Sequence, residues 1–154
     1  MNQFTIRVYG ILLNNNKQVL VSDEYIRGKY YTKFPGGGLE LGEGTRDCLQ
    51  REFKEEMNLD VHIGEHIYTT DFFQMSAFNS NHQFIAIYYF AKALQPITVP
   101  LKTKEFDFDE QQLQLYTQTQ QIETFRFIDW TNFSANAVTL PIDKIVASIL
   151  IEKY

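Results

Sequence analysis

Apolar and polar residues follow two different periods along this chain. From Phe4 to Leu13, aromatic, β-branched and leucine residues dominate, which predicts a strand. Asn14-Asn15-Asn16-Lys17 reads as a turn, because asparagine tolerates left-handed backbone. Gln18 to Asp23 is then a second strand closing a hairpin. Between Arg46 and Met57 the period becomes helical: Leu49 and Phe53 stand at i and i+4 and form a face suited to packing on a sheet. Val61 to Phe73 regains β character, with Gly64 as a bend, and Gln83 to Ala93 (QFIAIYYFAKA) is so uniformly apolar that it predicts a central strand. Phe125 to Trp130 predicts the last strand. Pro141 suits the first turn of a final helix, whose stripe is Ile142, Ile145, Val146, Ile149 and Leu150.

Two stretches resist this reading. Glu24 to Thr32 contains Tyr25, Arg27, Lys29, Tyr30 and Tyr31 and is expected to be a basic, aromatic loop, either a contact for phosphate or a base or an ordinary exposed connection. Gln95 to Gln121 mixes two prolines, the acids Glu105, Asp107, Asp109 and Glu110, and six glutamines from Gln111 onward. A connection of that length is a functional loop or unstructured. Only Leu113 and Tyr116 suggest one side of a short helix within it. Strands before, between and after two helices predict an α/β fold, a mixed β-sheet sandwiched by helices. With no repeat or linker in view, one domain is expected to span residues 1–154.

The chemistry concentrates between Gly36 and Leu59. Gly37 is followed by Glu43, then by Arg51-Glu52, Phe53, Lys54, Glu55-Glu56, Met57 and Asn58. Thr45 is a candidate helix cap, and Asp47 suits the first turn by complementing the helix dipole. Asn58 is the best non-glycine residue for a left-handed helix stop. Glu52, Glu55 and Glu56 fall at i, i+3 and i+4 and share one face. Carboxylates gathered this way repel, by roughly 4 kcal/mol per pair at ~4 Å and an effective dielectric of ~20. Protonation, a basic partner or a cation must neutralise them. Oxygen-only ligands favour Mg²⁺, or Mn²⁺ in its place. A solvated acidic helix face is the plainer alternative. Arg51 cannot lose its proton and suits orienting a glutamate through charged hydrogen bonds. Glu43 is either its partner or a further metal contact through water. His62 and His66 stand four apart on an expected strand, so surface or structural roles suit them better than zinc.

These spacings resemble the signature of the Nudix hydrolases, which cleave diphosphates attached to another moiety, usually a nucleoside. One position departs: Asn58 stands where the family usually has glycine. The resemblance implies the α/β/α sandwich of that family, a Mg²⁺-dependent pyrophosphohydrolase, and metal ligation by Glu52, Glu55, Glu56 and the carbonyl of Gly36. It implies a nucleotide-type substrate, and many such proteins form homodimers. It also implies a further carboxylate from outside the motif, as metal ligand or base. Glu123, two residues before the expected strand at Phe125, is the first choice, and Glu110 the second. Two other readings remain: a non-catalytic module that senses nucleotides, and an isomerase of prenyl diphosphates, for which no clear cysteine and glutamate pair is found.

Composition adds limits. At 154 residues the chain is long enough for a sizeable core. Apolar residues make up 44%, which excludes disorder throughout. A formal charge of −5 argues against broad nucleic-acid affinity. Cys48 is the sole cysteine, so no intrachain disulfide forms. No apolar run approaches the ~20 residues of a membrane span, and MNQFTIRVYG lacks the pattern of a signal peptide. A cytoplasmic location is the expectation.

Overall fold

The computed structural model describes residues 1–154, and its strands fall into two four-stranded sheets. In chain order the elements are β1 (Gln3–Leu12), β2 (Gln18–Ile26), β3 (Lys29–Lys33), β4 (Gly36–Gly38), α1 (Thr45–Met57), β5 (Val61–Thr69), β6 (His82–Ala93), β7 (Leu101–Lys102), α2 (Glu110–Thr119), β8 (Gln121–Asp129) and α3 (Pro141–Lys153). Short 3₁₀ turns at Trp130–Asn132 and Ala135–Ala137 lead into α3. The chain divides into two compact units, one of residues 1–14 and 35–98 and one of residues 15–34 and 99–154. The α/β class and mixed pairing are as the sequence indicates, but the pairing is shared between two sheets. No helix is long and apolar enough to cross a membrane.

The first unit carries the sheet β4-β1-β6-β5. β6 lies inside it, parallel to β1 from Gln3↔His82 to Leu12↔Ala91 and antiparallel to β5. It is a central strand, as expected, although Phe84, Ile85, Ile87 and Phe90 stay half-buried. β5 shifts register between Ile63 and His66, around Gly64. α1 lays Leu49 and Phe53 against β1: a Cβ on Gly10 would press on the Phe53 ring at 2.8 Å and on a Leu49 methyl at 3.3 Å. Leu49, Phe53 and Met57 are all buried. The helix begins one residue earlier than expected. Gly44, rather than Thr45, is its N-cap, with Asp47 accepting from the Gly44 amide, while the Thr45 hydroxyl bonds that of Tyr89 at 2.7 Å.

The second unit carries the sheet β3-β2-β8-β7. Here several expectations change. β1 and β2 form no hairpin, since they belong to different sheets. β2 turns instead through Arg27 (φ 47°) and Gly28 (φ 81°) into β3. Two successive positive φ values are what a tight hairpin turn needs, so the anticipated aromatic loop is a hairpin with Tyr25 opposite Tyr30. β8 starts at Gln121, so Glu123 lies within a strand, not ahead of one. The segment from Gln95 contains β7 and α2, capped by Asp109, whose carboxylate accepts from Gln112 N while Gln112 accepts from Asp109 N. Leu113 is 47% exposed, so Tyr116 is the ring that turns inward, without it.

In α3 the buried stripe is Ile142, Asp143, Val146, Ala147 and Leu150. Ile145 points outward, a shift of one position on the helix face that the run of isoleucines concealed. β2, β3 and β8 share a buried ion pair. Arg126 donates to Asp23 at 2.6 Å, and the Thr32 hydroxyl adds a bond at 2.8 Å. Asp23 is fully buried. A buried charge must be paired in this way to be tolerated.

Candidate active site

α1 and the glycine strand build the acidic site. Helical spacing puts Glu52 and Glu56 one turn apart, both half-buried at the border of the Leu49–Phe53 face. Arg51 is the centre of the cluster. Its Nε donates to Glu43 Oε2 at 2.9 Å and its Nη2 to Glu43 Oε1 at 2.7 Å, a two-pronged pairing. Its Nη1 donates to Glu52 at 2.9 Å and to Glu55 at 3.2 Å. Nη2 also reaches the Gly38 carbonyl at 3.0 Å. Glu40, which sequence reasoning overlooked, lies 3.7 Å from Nη1. Of the ways to neutralise the carboxylates, the structure displays the basic partner.

The electrostatics follow from that guanidinium. Hydrogen bonds from Arg51, joined by the Glu40 amide at 2.9 Å, hold the Glu43 carboxyl down at about 2. The Arg51 guanidinium is held still more firmly protonated by Glu43, against the effect of its burial. Burial pushes the Cys48 thiol up to about 12, and the nearby Glu43 adds to the shift. Cys48 Sγ donates to the Gly38 carbonyl at 3.5 Å.

Gly37 makes room for Glu52. A Cβ at that position would overlap the Glu52 carboxylate itself. At Gly36 a Cβ would overlap the Val8 carbonyl, so this strand can pair closely with β1 only as glycine. Asn58 closes α1 at φ 49°, ψ 41°, with its amide donating to Lys54 O at 3.0 Å. Asparagine therefore does the work of the missing glycine.

The donor set suits a hard divalent cation by its chemistry: carboxylates on one helix face and, at Gly37, a cradle against Glu52 that any side chain would fill. In the geometry at hand, no three His, Cys, Asp or Glu side chains stand together as a metal-holding group. Glu52 and Glu55 both accept from Arg51 Nη1. His66 bonds Thr69 Oγ1 at 2.8 Å. Glu123 belongs to the second unit, directly opposite Glu24 in the β2–β8 register. It accepts from Ser22 Oγ at 3.1 Å, and Glu24 is paired with Lys33 at 3.2 Å. Glu110 is the first residue of α2. The polar run Ser22-Asp23-Glu24 was the sequence signal for these buried charges, and its strand context hid it.

Comparison with known proteins agrees with this geometry. A family model described as the NUDIX domain matches residues 3–132. Nudix hydrolase 2 of Arabidopsis thaliana is 28% identical over 113 residues, which are 70% of this chain. The match spans only 37% of that relative's length. Among solved structures, a Nudix hydrolase from Nitrosomonas europaea superposes with a TM-score of 0.67 at 14% identity, covering 96% of this chain and 88% of that one. A MutT protein from Methanosarcina mazei Go1 superposes with a TM-score of 0.64 at 14% identity, covering 96% and 92%. At such identities the structures speak for the fold, and the family model for the sequence. With the motif from Gly37 to Asn58 assembled on α1 and β4, the chain belongs to the Nudix family.

Proposed function

We propose that this protein hydrolyses a diphosphate linkage in which a nucleoside diphosphate is joined to another group, with Mg²⁺ as the working ion and Mn²⁺ as a substitute. The observation that carries this reading is the Arg51 fork, which gathers Glu43, Glu52 and Glu55 beside Gly37 at the family's spacing. Glu52, Glu55, Glu56 and the Gly36 carbonyl would hold the ion. Bound there, it would polarise phosphate oxygens and acidify a water.

The chain's own groups divide the remaining work. Glu43 fixes Arg51, and Arg51 fixes the orientation of Glu52, so Glu43 acts through the guanidinium and is not itself a ligand. Gly37 keeps the space in front of Glu52 open. Hydrolysis then proceeds by in-line attack of water on one phosphorus, where positioning and charge stabilisation supply most of the rate. A single domain over residues 1–154 is part of the same proposal.

Incubating the purified protein with Mg²⁺ and a panel of nucleoside triphosphates, nucleotide sugars, ADP-ribose and dinucleoside polyphosphates tests it. Product masses identify the bond cleaved. Glu56→Gln is expected to lower the rate at least ~10²-fold, the scale of a lost charge stabiliser. Tight binding with no product from any of them would point instead to a nucleotide sensor.

A further inference from the structure

The second unit contains a helix that is attached without being packed. α2 buries none of its residues, although most helical stability comes from burying an apolar face. Leu113 and Leu115 are 47% and 50% exposed. Its attachments are few and local. The Tyr116 ring stacks on Tyr25 at 4.1 Å, and Tyr25 in turn stacks on Tyr30 at 4.3 Å. The Tyr116 hydroxyl accepts from Gly28 N at 2.7 Å, and Gln112 Nε2 donates to the Glu123 carbonyl at 2.8 Å. Between α2 and β8 lies a solvent-open groove of about 400 Å³ lined by Gln112, Leu115, Thr119, Gln121, Ile122 and Glu123.

Both ends of this segment are pinned, and both pins have backbone that side-chain-bearing residues rarely adopt. Of the five non-glycine residues with positive φ, Phe106 (53°) and Gln120 (58°) bracket α2. Phe106 N donates to the buried Asp23 at 3.3 Å, and Gln120 O accepts from Arg27 N at 2.9 Å. A bulky phenylalanine in the left-handed region is an outlier, and such residues concentrate at switches and hinges.

We propose that α2 is a hinged lid, turning about Phe106 and Gln120, latched by Tyr116 on Tyr25, and covering the space above Ile122 and Glu123. Closure keeps both hinges in their disfavoured conformation, and opening releases them at the cost of the stack and two hydrogen bonds. The lid is independent of the hydrolase reading, because every group in it lies in the second unit and opening requires no ligand.

Amide hydrogen exchange on the full chain without nucleotide tests it. Residues 110–119 are expected to exchange at least about tenfold faster than residues 121–129, through local opening. Tyr116→Ala should speed exchange in 110–119 about tenfold more and leave 121–129 unchanged. Gln120→Gly removes the backbone penalty of the closed form at that hinge and should slow α2 exchange about threefold. Exchange of α2 and β8 at one common rate would overturn the lid, as would a Tyr116→Ala protein with wild-type α2 rates. Faster or unchanged α2 exchange in Gln120→Gly would overturn the hinge.

Discussion

Asn58 shows how one dihedral angle can rescue a departure from a family pattern. The residue sits at φ 49° with its amide on Lys54 O, so Asn58→Gly should leave stability unchanged or slightly raised. Asn58→Val forces a β-branched side chain into that region and should cost about 1–2 kcal/mol. Equal melting temperatures for the two variants would contradict the assignment. Glu43 makes a second test at this scale. Its folded pKa of about 2 lies below its ordinary value of 4.5. A depressed acid contributes stability above its unfolded pKa and loses that contribution as pH falls through the folded one. The wild type should therefore weaken more steeply than Glu43→Gln between about pH 4.5 and 2, seen in urea midpoints across that window. Parallel slopes for the two proteins would remove Arg51 as the cause of the shift.

Among the elements, the ones with a strong period were the ones legible in the sequence. The helix face of Leu49 and Phe53, the central strand β6 and the left-handed stop at Asn58 all follow from spacing and residue type. The hairpin partner of β2 did not, because strand pairing depends on contacts distant in sequence and Asn14–Lys17 is as good a turn as Arg27-Gly28. α2 was legible only as a hint, from Leu113 and Tyr116 at i and i+3, because it buries no stripe that would mark its full length. The cluster around Arg51 was legible as a set of residues but not as an arrangement, since which carboxylate the guanidinium takes depends on side-chain geometry. The glycine strand gives the element-scale prediction. Gly37→Ala places a methyl in the Glu52 carboxylate while keeping every acidic donor, and should lower hydrolysis at least ~10²-fold with about 1–3 kcal/mol of overpacking strain. Gly38→Ala is the control, because a Cβ there meets nothing within 4 Å. If both variants worked at the normal rate, the cradle would have no part in the chemistry.

For the molecule as a whole, the chain route matters, since each unit is assembled from two separated segments. A fragment ending at Thr98 retains all of the first unit and only residues 15–34 of the second. In it the β2–β3 hairpin loses β8, and a two-stranded hairpin alone is marginal in water. Limited proteolysis of fragment 1–98 is expected to cut within residues 18–33, which resist in the full chain. Survival of that segment would mean the hairpin needs no third strand. Cys48 has a consequence for how such motions can be followed. It is the sole thiol of the chain, it is fully buried, and it ionises only near 12. Thiolate is the reactive form, so maleimides should ignore the native protein and react once it is denatured. A cysteine introduced at an exposed position, as in Gln114→Cys on α2, would then take a fluorophore alone, and the wild-type background serves as its own blank without removal of Cys48.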